Sequence, residues 1–136
     1  ALEVKVMEAF QMGFWIFMLI MVLLIPLTMI FFGWLLFRKT PKEINYVYGY
    51  RTKRSMMNEE TWRFANQYCG KAWYLCGLIS APLSVIAIAI VFGKGPGTVG
   101  TVGGIITMLQ MLPLIGAIVP TESELKKNFD ENGKRR

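Results

Sequence analysis

The sequence predicts an all-α integral membrane protein with three transmembrane helices. Of its 136 residues, 54% are hydrophobic, a larger share than a soluble domain of this size carries. The apolar residues are concentrated in three runs, each long enough to cross a bilayer core of about 30 Å. Lys and Arg cluster on one side of these runs, which is the pattern of cytoplasmic loops in membrane proteins.

The chain is predicted to form one membrane domain over residues 1–136. The predicted spans cover residues 10–37, 68–92 and 98–119. A polar connector over residues 38–67 joins the first two spans, and residues 121–136 form a tail. The last two spans are joined through residues 93–97, whose three glycines and one proline favour a tight turn.

The distribution of charge predicts the orientation of the spans. Seven Lys or Arg lie between Arg38 and Arg63, Lys71 lies just beyond them, and five more lie in residues 126–136. Only Lys5 and Lys94 lie on the opposite side. The positive-inside rule therefore places the N-terminus outside, and the connector and the C-terminus inside. Because the positive charges flank the spans in this way, the net charge of +6 does not indicate direct binding of nucleic acid.

The connector contains a helix start signal at Asn58. Asn is a favourable N-cap, and the following Glu59 and Glu60 complement the positive end of the helix dipole. We therefore expect an unbroken helix from Glu59 to about residue 92. Upstream, residues 44–50 alternate weakly in polarity and fit either a short extended segment or a loop.

Small residues predict which helices approach closely. Gly70, Gly77 and Ser84 form a stripe on the second span, and Gly100 and Gly104 are spaced four apart on the third. Stripes of this kind let two helix backbones come close together. The expectation is therefore close contact between the second and third spans.

Each span also contains one interior proline, at positions 26, 82 and 113. A proline leaves the carbonyl four residues earlier without its helical donor, so Pro26 frees the carbonyl of Val22. Ser84 and Gln110 are among the polar residues near these kinks. We expect them to form hydrogen bonds between helices rather than to line a transport path.

In the tail, Thr121 and Glu124 have the spacing of a capping box, which predicts a short helix starting there. Residues 133–136 are basic and contain a glycine, so they are predicted to be disordered.

Composition argues against several functional classes. The chain has no histidine, which removes the commonest general base and metal ligand. Cys69 and Cys76 lie seven residues apart, too far along one helix to form a disulfide. We therefore predict no catalytic residues, no metal, no cofactor and no enzyme activity. No charged residue lies deep in a span, which argues against an ion-coupled pump.

The polar connector is where a binding site is expected. The candidate residues for binding a ligand or partner are Asn45, Gly49, Tyr50, Arg51, Thr52, Ser55, Asn58, Trp62 and Asn66. Arg51 is the leading candidate, because a guanidinium binds a carboxylate or phosphate in a bidentate way that Lys53 cannot reproduce. The same residue types also fit a purely structural network that ties the loop down, and both interpretations stay open.

The order of these residues resembles the SdpI family of small bacterial membrane proteins. The resemblance is carried by Asn45, the segment Gly49-Tyr50-Arg51-Thr52, Ser55, Asn58, Trp62, Ala65-Asn66 and Gly70, followed by an apolar helix. It implies a multi-pass protein of the bacterial plasma membrane that gives immunity to a membrane-active peptide toxin, or signals in response to one. Membrane lipids, a peptide toxin and a cytoplasmic regulator are the partners it implies.

Two alternative functions fit the same sequence. The first is a small structural or lipid-binding membrane protein in which Arg51 holds an anionic headgroup. The second is a channel or transporter subunit built by oligomerisation. A homo-oligomer is compatible with every one of these functions, because three helices bury little surface between them.

The predicted orientation can be tested by labelling single cysteines in a variant that lacks Cys69 and Cys76. A thiol reagent that cannot cross the membrane is expected to label Lys94→Cys from outside intact cells and to leave Lys53→Cys unlabelled. The reverse pattern would show that the orientation is inverted.

Overall fold

The computed structural model describes residues 1–136 and consists of α-helices without a β-strand. The helices are α1 (Leu2–Arg38), α2 (Glu59–Ile90), α3 (Pro96–Gly116) and α4 (Ile118–Asn128). Three helical stretches are long and apolar enough to cross a membrane: Leu2–Arg38, Glu59–Ile90 and Pro96–Asn128. The predicted all-α fold with three membrane-crossing helices is confirmed, whereas its orientation and the exact membrane boundaries stay predictions.

The two longest helices, α1 and α2, pack side by side and are joined by the loop of residues 39–58. The C-terminal end of α1, the N-terminal end of α2 and helix α4 all lie at the same end of the bundle. We call this the connector end. At the opposite end, Trp15 of α1 donates through Nε1 to the carbonyl of Ile88, at 2.8 Å. This bond holds α1 against the last turn of α2.

The start of α2 confirms the signal at Asn58. The Asn58 side chain accepts the N–H of Thr61 at 2.8 Å, and Thr61 Oγ1 accepts the N–H of Asn58 at 3.1 Å. This reciprocal cap satisfies two donors that a helix start otherwise leaves free. The helix then runs to Ile90, passing through Pro82. Residues 44–50, upstream, form a loop.

The predicted partner of the small-residue stripe on α2 is wrong, because Gly70 and Gly77 face α1. A Cβ atom on Gly33 of α1 would lie 2.7 Å from the carbonyl oxygen of Gly70 and 2.5 Å from the backbone nitrogen of Tyr74. A Cβ atom on Gly77 would lie 2.8 Å from the carbonyl oxygen of Pro26. On α3, nothing lies within 4 Å of the corresponding point on Gly104. The closest backbone approach is therefore between α1 and α2.

The third helix is held to the other two by a buried amide. Gln110 is 4% exposed, and its Nε2 lies 2.7 Å from both the carbonyl of Val22 in α1 and Ser84 Oγ in α2. Val22 is the residue whose carbonyl Pro26 frees, so Gln110 supplies the missing donor. The expectation that polar residues near the kinks bond between helices is confirmed here.

The tail differs from prediction in two ways. First, α4 starts at Ile118 without a side-chain cap, and Thr121 lies inside it, donating to the carbonyl of Ala117 at 2.7 Å. The predicted capping box is therefore wrong. Pro120 falls in the first turn of α4, where its missing N–H has no helical acceptor to lose.

Second, residues 133–136 are ordered. Asp130 Oδ1 accepts the N–H groups of Asn132 and Lys134, each at 2.9 Å, and Gly133 adopts a positive φ of 80°. These backbone donors lower the pKa of Asp130, the N–H of Lys134 most strongly. Phe129 is 2% exposed and anchors this turn in the core. The prediction of disorder is wrong because it weighed the basic composition over the Asp-Glu-Asn-Gly turn sequence.

The close approach of α1 and α2 predicts different effects for two Gly→Ala changes. Gly33→Ala is expected to destabilise the protein by about 1 to 3 kcal/mol, because its methyl group meets backbone atoms that cannot move independently. Gly104→Ala meets open space and is expected to be neutral or stabilising by up to about 1 kcal/mol, from helix propensity. Unfolding midpoints in detergent measure both effects. Equal midpoints for the two variants would contradict the packing described here.

Candidate functional site

The loop between α1 and α2 folds over the connector end as a lid, residues 41–58, anchored by two buried side chains of α2. Asn66 Oδ1 accepts the N–H of Tyr50 at 2.7 Å, and Asn66 Nδ2 donates to the carbonyl of Trp62 at 2.8 Å. Trp62 Nε1 donates to the carbonyl of Pro41 at 2.9 Å. Both side chains are 0% exposed. Trp62 and Asn66 therefore hold the lid from below and are out of reach of a ligand.

Gly49 lets the lid backbone pass over these anchors. Its φ of 116° lies in the region that favours glycine. A Cβ atom there would lie 2.8 Å from Asn66 Oδ1 and 3.0 Å from the Trp62 ring. Conformation and space both require glycine at this position, so its role is structural.

Ser55 closes the next turn of the lid. Its Oγ accepts the N–H of Thr52 at 2.8 Å and donates to the carbonyl of Tyr50 at 3.0 Å. Ser55 is 0% exposed, and its own carbonyl accepts Thr61 Oγ1 at 3.1 Å. This turn fixes the backbone on either side of Arg51.

A carboxylate of α4, which sequence reasoning missed, completes the lid. Glu122 Oε1 accepts the hydroxyls of Tyr50 at 2.7 Å and Thr52 at 2.6 Å. Arg54 Nε lies 3.9 Å from Glu122 Oε2. Burial of the phenol and its bond to Glu122 raise the pKa of Tyr50, so the hydroxyl stays protonated and acts as a donor. In the sequence, nothing distinguishes Glu122 from Glu124 two residues later.

The two remaining asparagines, Asn45 and Asn58, bond to backbone groups that lie outside this cluster. Asn45 Oδ1 accepts the N–H groups of Val47 and Tyr48, each at 3.0 Å. Asn58, besides capping α2, donates through Nδ2 to the carbonyl of Gly133 at 2.7 Å. Asn45 and Asn58 therefore shape the lid without sharing one site.

Beneath the lid lies an open cavity of about 550 Å³. Its lining is mostly apolar and includes Phe32, Leu36, Cys69, Trp73, Leu114 and Ile118. Trp73 Nε1 donates to the carbonyl of Leu114 at 3.1 Å, which fixes the indole as part of the wall. Four consecutive lid residues, Gly49 to Thr52, form the polar rim. No cluster of three or more Cys, Asp or Glu side chains that could hold a metal ion is present.

Arg51 is the rim residue whose charge is left without an acidic partner. Its side chain is exposed, and Nη1 donates to the carbonyl of Tyr46. The ion pairs of the structure involve Arg54, Lys127 and Arg135 instead. Of the nine candidate residues, Gly49, Tyr50, Arg51 and Thr52 thus meet at the cavity, and Arg51 keeps donors free for a ligand.

Comparisons with known proteins agree with the resemblance noted in the sequence. The model of the SdpI/YfhL protein family matches residues 42–121, which include residues 42–58 of the lid, all of α2 and α3, and the first residues of α4. The uncharacterized protein YfhL of Bacillus subtilis (strain 168) is 36% identical over 81 residues. That match covers 60% of this chain and 60% of YfhL, so the chain spans about three fifths of the relative's length. No solved structure matches.

Removing the Glu122 carboxylate is expected to loosen α4. Glu122→Ala removes the acceptor of the Thr52 hydroxyl and the nearer of the two acceptors of the Tyr50 hydroxyl, which costs about 1 to 3 kcal/mol for partly buried groups. Faster hydrogen exchange of the α4 amides would report the loss. Glu124→Ala is the matched control, because Glu124 pairs at the surface with Lys127, and such a pair contributes about 0 to 1 kcal/mol. Equal exchange in the two variants would contradict a docking role for Glu122.

Proposed function

This chain belongs to the SdpI/YfhL protein family, and on that premise we propose that it gives immunity to a membrane-active peptide toxin, or signals in response to one, in the bacterial plasma membrane. In this proposal the connector end faces the cytoplasm and recognises either the peptide or the disturbance that it causes. The observation that carries the proposal is the position of Arg51, a cation without an acidic partner at the rim of an apolar cavity.

The lid supports this role because hydrogen bonds within the protein fix its backbone. The backbone N–H groups of Tyr50 and Thr52, on either side of Arg51, are both bonded to side chains. Arg51 is therefore presented on a fixed backbone, so little backbone entropy remains to be lost on binding. A planar guanidinium held in this way favours a carboxylate or phosphate in one orientation.

A path for signalling starts at the next residue of the lid. Thr52 lines the cavity and donates to Glu122 of α4 at 2.6 Å. A ligand that displaces the Thr52 hydroxyl would weaken the docking of α4, because Glu122 loses one of its two hydroxyl donors. A ligand that prefers one arrangement of Thr52 would thus shift the equilibrium of α4 docking, and a cytoplasmic regulator could bind the released helix.

The channel or transporter function has less support. The buried polar groups inside the spans, Gln110 and Ser84, bond to each other and to the freed carbonyl of Val22. Such bonds are typical of interhelical contacts. They use both N–H groups of the Gln110 amide, whereas Gln110 Oε1 is buried without a hydrogen-bond partner.

Substitutions of Arg51 test the proposed function in cells challenged with a sibling peptide toxin. Arg51→Ala is expected to lower the toxin dose that the cells survive by about tenfold. Arg51→Lys is expected to lower it nearly as much, because lysine keeps the charge and loses the bidentate geometry. Lys53→Ala is the matched control, since Lys53 is exposed in the same lid but does not line the cavity.

Survival is compared at equal abundance of each variant in the membrane. If Arg51→Lys protects as well as the wild type does, recognition through the guanidinium is ruled out.

A further inference from the structure

We propose that the cavity beneath the lid binds an anionic phospholipid, with one acyl chain along its apolar walls and the phosphate on Arg51. This inference deepens the proposed function and rests on it only in taking the connector end as the recognition region. It names a membrane lipid as the molecule that this end senses.

The walls of the cavity suit a hydrocarbon chain. On α1 they extend from Leu36, next to the lid, to Thr28, two turns away and about 12 Å along the helix. Phe32 lies between them, and Ile115 and Ile118 contribute the opposite side. Phe32, Ile115 and Ile118 are all partly exposed, at 39%, 55% and 46%, so the cavity opens sideways along apolar helix faces. A lipid chain can therefore enter from the bilayer.

The rim suits an anionic headgroup. Arg51 donates through Nη1 to the carbonyl of Tyr46, which leaves N–H groups of Nε and Nη2 directed to no protein acceptor. The neighbouring Arg54 is near Glu122, so Arg51 is the rim cation available to an outside anion. Basic pockets between transmembrane helices bind anionic lipid headgroups, and a guanidinium can hold a phosphate in a bidentate way.

The hydrogen bonding of the lid favours a lipid over a peptide. A peptide brings an N–H and a C=O with every residue, and these groups need partners wherever water is excluded. At the rim, the N–H groups of Tyr50 and Thr52 and both of their hydroxyls are already bonded within the protein, so a peptide would find backbone partners only at Gly49 and Arg51. An acyl chain needs no such partner. The cavity therefore matches one anionic group joined to a hydrocarbon chain.

Native mass spectrometry of the full chain in detergent tests this proposal. Phosphatidylglycerol and phosphatidylcholine with identical acyl chains are titrated separately, so that only the headgroup differs. The wild type is expected to bind phosphatidylglycerol about tenfold more tightly, and Arg51→Ala is expected to abolish that preference. Lys53→Ala should keep the preference.

A second pair of variants tests the position of the chain. Ile115→Trp places a bulky ring at the mouth of the cavity and is expected to weaken binding of both lipids about fivefold or more, because the chain loses its place. Ile105→Trp is the matched control, since Ile105 is equally exposed on α3, at 54% against 55% for Ile115, and lies outside the cavity. Unfolding midpoints show whether each variant is folded.

Equal affinity for the two lipids, or a preference that survives in Arg51→Ala, would overturn the proposal. It would also be overturned if the lipid-free protein bound a toxin peptide through Arg51 and showed no preference for phosphatidylglycerol over phosphatidylcholine. Survival in the toxin assay is a separate measurement. Lipid preference without protection would leave the lipid site standing and refute the immunity function.

Discussion

The contact between Gly33 and Gly70 is the constraint on which the connector end depends. The two backbones approach closely because neither residue has a side chain. A Cβ atom on Gly70 would lie only 2.8 Å from the carbonyl oxygen of Gly33. The end of α1 therefore lies beside the first turns of α2. Trp62 can then reach the carbonyl of Pro41 just beyond α1. The lid therefore joins two helix ends that lie side by side.

The features that the sequence predicts well depend on neighbouring residues. The start of α2 follows from Asn58, because a cap involves groups within three residues. The partner of the small-residue stripe was mispredicted because a stripe identifies a face of a helix and not what packs against it. Glu122 was missed for a similar reason, since its partner Tyr50 lies 72 residues away. Such contacts are set by the arrangement of the helices, which local patterns do not encode.

In the candidate site, too, some features follow from the sequence and others only from the arrangement of the helices. A structural network and a binding site both use Asn, Ser, Thr and an aromatic residue, so the sequence left the two interpretations open. In the structure, Ser55, Trp62 and Asn66 are completely buried and serve the network. Arg51, one residue beyond Tyr50, is exposed at the cavity rim. The structural interpretation therefore holds for these three buried residues, whereas binding by Arg51, whose backbone neighbours the network fixes, stays a prediction.

The bond between Gln110 and Val22 has a consequence for the order in which the helices enter the bilayer. Pro26 leaves the Val22 carbonyl without a donor within α1, and its partner lies 88 residues later in the chain. During synthesis α1 emerges before α3. Until α3 is inserted, the Val22 carbonyl needs a hydrogen-bond donor from another source. Leaving it unpaired in hydrocarbon would cost several kcal/mol. The first helix is thus expected to stay close to the insertion machinery, or to water, until Gln110 of the third helix bonds to the Val22 carbonyl.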